Sequence, residues 1–122
     1  MIIANFKSNV VNFDRWAEDF INSCPPVMFN VGVALPSIYI TQYSLGIEHW
    51  PDEDNLENDF SRMAIGAQDV DHSSGSRTGA ISIEMLEECD SSVKFVIIGH
   101  SERREFFHEN NDLIRKKIQA LD

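Results

Sequence analysis

V-K-F-V-I-I-G-H-S-E-R-R, residues 93–104, sets the pattern for the whole chain: a short, almost unbroken apolar run, one glycine, then a cluster of polar and ionisable side chains. A run with no polar face belongs to a strand covered on both sides, the condition of a parallel sheet flanked by helices. Three runs upstream have the same form. Met1 to Phe6 is closed by Lys7, Ser8 and Asn9; Phe29 to Leu35 is stopped at Pro36; and Met63 to Gln68 gives way to a loop from Asp69 to Gly79 rich in Ser, Gly and Asp.

Helical spacing fills the intervals. Phe13, Trp16, Ala17, Phe20 and Ile21 predict an amphipathic helix with Asn12 as its cap, ended by Pro25 and Pro26. Shorter helical patterns run from Ile38 to about Leu45 and from about Ser82 to Glu88, and a last one runs from Asp112 to Leu121. In that last helix Arg115, Lys116 and Lys117 suit the negative end of the helix dipole. Between Gly46 and Arg62 six acidic residues and Pro51 indicate a solvated connection. The Asp69–Gly79 loop is long for a compact unit, which points to binding or an interface.

Strand and helix thus alternate four times, giving an α/β parallel sheet covered by helices. Periodicity leaves open whether the sheet is doubly wound or part of a barrel. No G-x-G-x-x-G follows the first strand, which weakens the dinucleotide-binding version.

With 20 acidic and 10 basic residues, the 122-residue chain carries a formal charge of -10, which argues against nucleic acid or anionic lipid as partner. It has no apolar stretch of the roughly 18–20 residues a membrane span needs, nor a signal-like start, so the cytoplasm is the expected compartment. Cys24 and Cys89 lack metal or disulfide spacing and read as reduced, semi-buried residues.

The polar residues gather where the strands end, the side on which parallel α/β proteins build sites. Asn5 and Lys7 close the first strand, Gln68 the third, and His100, Ser101 and Glu102 follow the fourth. In this order A-N-F-K-S-N (4–9), I-G-A-Q-D-V (65–70), G-S-R-T-G-A-I-S-I-E-M-L (75–86) and F-V-I-I-G-H-S-E-R-R (95–104) resemble successive segments of triosephosphate isomerases. The similarity runs over the whole chain and is weakest between about Asn9 and Arg62.

That resemblance implies a (β/α)8 TIM barrel, typically about 250 residues, of which residues 1–122 would supply the first four β/α units as a half barrel. It also implies interconversion of dihydroxyacetone phosphate and D-glyceraldehyde 3-phosphate through an enediolate, the step shared by glycolysis and gluconeogenesis, with no metal or organic cofactor. Lys7 would set an ammonium beside the substrate's phosphate and developing oxyanion, and Asn5 would donate a side-chain N–H to a substrate oxygen. His100 would be the electrophile that polarises the carbonyl, its imidazole kept neutral by the helix N-terminus it adjoins, an effect for which this family is itself the standard example. Glu102 would position Lys7 and His100.

The resemblance further implies a homodimer in which Thr78 tips a loop inserted into the neighbouring subunit, with Gln68, Ser8 and Arg103 at the same interface. Ala80 stands where the family usually has a glutamate, which removes the acid that would pair with Arg103 across that interface, and Ser8 replaces bulkier residues. Arg104 and Glu105, like Arg103 on its own, read as solvating the turn after His100, and His49, His72 and His108 as surface residues. The family's glutamate base and phosphate-binding amides match no residue here, so these residues alone are expected to be inactive. The alternative is a non-catalytic half barrel that self-associates through its open edges.

Overall fold

The computed structural model describes residues 2–10, 12–23, 31–48, 63–89 and 93–121. Among the described residues nine elements follow in order: β1 (Ile2–Asn5), α1 (Phe13–Ser23), β2 (Val31–Leu35), α2 (Ser37–Glu48), β3 (Met63–Ala67), α3 (Ile83–Cys89), β4 (Val93–Val96), α4 (Ser101–Phe106) and α5 (Asn111–Leu121). Gly46 to Glu48, read as the start of the acidic connection, instead complete α2; the rest of that connection, Cys24, His49 and the Pro25–Pro26 stop lie outside the described residues.

The four strands pair in parallel in the order β1-β2-β3-β4. This order settles what periodicity left open. A doubly wound sheet reverses direction at a switch point, whereas here each strand lies beside its successor, the order of barrel staves. The sheet is a half-barrel pattern with β1 and β4 at its edges. Ile2 and Ile3 on the first of these edges are 61% and 45% exposed.

Alternation along the strands assigns the two faces. Val33, Leu35, Ile65 and Ala67 pack with Phe13 and Ala17 of α1, Ile40 of α2 and Leu86 of α3 in one buried cluster, so these helices share one side. Burying a side chain of this size contributes about 1.5–3 kcal/mol, which makes this layer the main source of stability. The register places Gly32, Ala34, Ala64, Gly66 and Phe95 on the opposite face. There the ring of Phe95 lies across the two glycines: a Cβ on Gly66 would come within 2.4 Å of it, and one on Gly32 within 2.9 Å.

Local chemistry explains the ends of the elements. Asn12 caps α1, its Oδ1 accepting the Arg15 N–H at 3.1 Å, and Asn110 caps α5 by accepting the Leu113 N–H at 2.9 Å. Trp16 joins α1 to the end of β1, its ring 5.0 Å from Phe6 edge to face and stacked against Phe13 and Phe20. Among the described residues no helix is long and apolar enough to cross a membrane.

Three sequence expectations are corrected. Cys89 is exposed rather than semi-buried, because the last residue of α3 is left on its solvent side. His72 is not a surface residue: it is largely buried between Asp71 and Arg77. Lys117 does not stand in the last turn of α5 at the negative end of its dipole but is buried one turn earlier, where two carboxylates meet it.

Candidate active site

β1 ends in a tight turn that Lys7 makes with a positive φ of 52°, a conformation costing a residue with a Cβ about 1–2 kcal/mol. Neighbours hold it there. The Lys7 N–H donates to Asn5 Oδ1 at 2.9 Å, and Asn9 donates to the Phe6 carbonyl from its backbone at 3.2 Å and its side chain at 2.8 Å. Gln68, just past β3, donates from Nε2 to Lys7 O at 2.9 Å and Ala34 O at 3.1 Å.

The ammonium that this turn presents reaches across the sheet's C-terminal end to α4. Lys7 Nζ lies 2.6 Å from Glu102 Oε1, both side chains about half exposed. This hydrogen bond holds the Glu102 carboxyl below the ordinary glutamate value of 4.5, against the opposing effect of burial, and the positive charge of Lys7 adds to it.

His100 opens α4 as its cap. Gly99, with a φ of 68°, turns the chain out of the sheet, and the Glu102 N–H then donates to His100 Nδ1 at 3.2 Å. A nitrogen that accepts a hydrogen bond carries no proton, so this arrangement assigns the imidazole proton to Nε2. Glu102 Oε2, 3.7 Å from the same Nδ1, is too far for a hydrogen bond. Glu102 thus touches both partners, Lys7 through its carboxylate and His100 through its backbone.

Behind α4 stands a network that sequence reading did not find. Asp69 at the end of β3, Arg103 on α4, Glu109 in the α4–α5 connection and Lys117 on α5 close a ring of ion pairs. Lys117 Nζ donates to Asp69 Oδ1 at 2.6 Å and Glu109 Oε1 at 2.7 Å, and Arg103 Nη2 lies 2.8 Å from both Asp69 Oδ2 and Glu109 Oε1. Arg103, expected at the turn surface or across an interface, is therefore engaged within its own chain and also lies 4.2 Å over the Phe107 ring. The ring fastens α4, and with it His100 and Glu102, to β3 and α5. One signal was present: Lys117 falls one turn after Leu113, on the inward side of α5.

Thr78 and Ser8 are the remaining expected residues. Thr78 is exposed on the loop between β3 and α3, and Ser8 is exposed beside Lys7. The loop is closed at its base by Asp71 N donating to Ile81 O at 2.7 Å and is braced by Arg77 against Asp71 at 3.3 Å. Between this loop and the ion-pair ring lies a cleft of about 240 Å³.

Comparison with known proteins gives the family. The model of the triosephosphate isomerase family matches residues 1–122. The chain belongs to the triosephosphate isomerase family. It is similar to the triosephosphate isomerases of Mycoplasma mobile, 35% identical over 99% of this chain and 48% of that protein, and of Baumannia cicadellinicola, 34% identical over 99% and 44%. A third, from Histophilus somni, is 52% identical over 50% of this chain and 24% of the relative. The chain thus spans about half the length of the first two of these triosephosphate isomerases.

Proposed function

We propose that this chain carries the electrophilic half of a triosephosphate isomerase site, acting on dihydroxyacetone phosphate and D-glyceraldehyde 3-phosphate. The observation that carries the reading is the placement of Lys7 and His100 about one residue, Glu102, at the C-terminal end of the sheet.

Each group has a task in moving a proton between adjacent carbons. The Lys7 ammonium stabilises the substrate phosphate and the negative charge that develops on oxygen in the transition state. Asn5, with Oδ1 engaged by the Lys7 N–H, turns its amide nitrogen to a substrate oxygen. His100 polarises the carbonyl from Nε2–H and passes a proton between the two oxygens, with Nδ1 kept unprotonated by the Glu102 amide. None of these 122 residues matches the family's carboxylate that takes the carbon proton, so by themselves they are read as inactive. Thr78, Ser8, Gln68 and Arg103 lie toward the partner in a cytoplasmic homodimer.

The test joins these residues to the second half of a related isomerase and follows formation of glyceraldehyde 3-phosphate from dihydroxyacetone phosphate. Turnover that falls at least about a hundredfold on His100→Gln is expected from loss of a general acid–base group. Turnover indifferent to that change, or robust turnover by the 122 residues alone, would overturn the proposal.

A further inference from the structure

Gln68 makes two hydrogen bonds that the sheet does not require. β1 and β2 are already joined where they end by Phe6 N donating to Ala34 O at 3.1 Å, and β3 is joined to the chain beyond β4 by Ile97 N donating to Ala67 O at 2.9 Å. The Gln68 amide adds no rung to this ladder. It reaches over β2 to the Lys7 carbonyl at 2.9 Å and takes the Ala34 carbonyl at 3.1 Å on the way.

The Lys7 carbonyl is a telling place for a donor. Lys7 holds a left-handed φ of 52°, and such a conformation persists in a residue with a Cβ only when its surroundings over-determine it. Its N–H is held from within β1 by Asn5, and the carbonyl before it by Asn9. Gln68 supplies the hold that comes from another strand. Relaxation of Lys7 to an extended φ would swing its Cβ around the chain and carry the ammonium away from Glu102, which it now meets at 2.6 Å.

We infer that Gln68 is a positioning residue, clamping the left-handed backbone of Lys7 so that its ammonium is aimed at the site it shares with Glu102 and His100. The inference rests on the reading of Lys7 as the cation that faces a triose phosphate. It gives Gln68 a task inside its own subunit in addition to any contact with a partner.

The experiment uses Gln68→Met, which keeps the volume and removes the donors, and Gln68→Glu, which keeps the shape and sets an acceptor against two carbonyl oxygens. Two NMR readouts are taken on the chain without substrate: the backbone coupling that reports φ at Lys7, and the titration of the Glu102 carboxyl carbon. The expected result in both variants is a Lys7 coupling moved toward extended values and a Glu102 midpoint raised toward the ordinary glutamate range. A folded Gln68→Met protein that keeps both wild-type readouts overturns the inference. If neither variant folds, the unmodified chain decides: scalar coupling across the Gln68 Nε2–H to Lys7 C=O bond supports the clamp, and its absence overturns it. Because both readouts are made on the resting protein, an assembled barrel without isomerase activity but with Lys7 still aimed would fault the proposed reaction and not the role of Gln68.

Discussion

Lys117 Nζ lies 2.7 Å from Glu109 Oε1, and the two side chains are only 4% and 2% exposed. Removing one member of so buried a pair leaves the other's charge with a single partner of the ring, Asp69 for Lys117 or Arg103 for Glu109, a loss of up to about 3–5 kcal/mol. Lys117→Met and Glu109→Gln are each expected to reduce the free energy of urea unfolding by that order. Because both side chains belong to one ring with Asp69 and Arg103, the double variant should lose clearly less than the sum. Additive losses would mean that the pair is not energetically coupled.

The same carboxylate sets a pH dependence. Burial works against the charge of Glu109 more than any other single influence, but hydrogen bonds from Lys117 and Arg103, with their charges, outweigh it and lower the pKa below 4.5. A group whose pKa is lower folded than unfolded stabilises the fold fully above the unfolded value and loses that contribution as pH falls through the folded one. Stability should therefore decline from about pH 4.5 downward, and thermal melts of Glu109→Gln should show a shallower decline over this range. Equal slopes in the two proteins would remove Glu109 as the cause.

Phe95 and Gly66 predict a steric coupling on the other face of the sheet. A methyl group at Gly66 would meet the Phe95 ring at 2.4 Å, and the ring has no retreat toward Gly32, where the corresponding approach is 2.9 Å. Gly66→Ala is expected to cost about 1–3 kcal/mol, the range for overpacking a close contact. Adding Phe95→Val should recover part of it. No recovery on denaturant unfolding would place the strain in the backbone instead, where the register of β3 against β4 shifts between Ile65 and Gly66.

The elements that were legible in the sequence are those whose signal is local. Two-faced apolar runs, the stop at Pro36 and the Asn12 cap sit within a few residues of what they control, and the polar residues at the strand ends stood out because each interrupts such a run. The ion-pair ring was not legible, since Lys117 meets Asp69 across 48 residues and nothing in the pattern of α5 says what will face it. Its charge and its place late in α5 made it read as suited to the end of the helix dipole, and only the inward spacing from Leu113 hinted otherwise. His72 was misread for the same reason, its partner Arg77 being brought back by a loop with no periodicity. Gln68 was legible as a polar residue at a strand end, but the two carbonyls it serves belong to other strands.

Gly99 connects the backbone directly to the candidate chemistry. Its φ of 68° lies in the left-handed region, and a Cβ there would stand 2.9 Å from Ile114 Cδ1 and 3.3 Å from Arg104 Nη2. Arg104 is itself fixed by its Nε–H donating to the Gly99 carbonyl at 3.0 Å and its Nη1–H to Asn111 at 2.9 Å. Gly99→Ala therefore meets backbone strain of about 1–2 kcal/mol and a clash with α5 at once. The end of the Ile114 side chain can turn aside, but the backbone strain is relieved by moving the residues that flank Gly99, and His100 is the next in the chain. Nitrogen-15 NMR of the wild-type imidazole should show Nδ1 unprotonated and hydrogen-bonded, and in Gly99→Ala the Nδ1 contact with the Glu102 amide should weaken. A variant that loses stability but leaves the His100 nitrogens unchanged would show that Gly99 serves the fold and not the placement of the histidine.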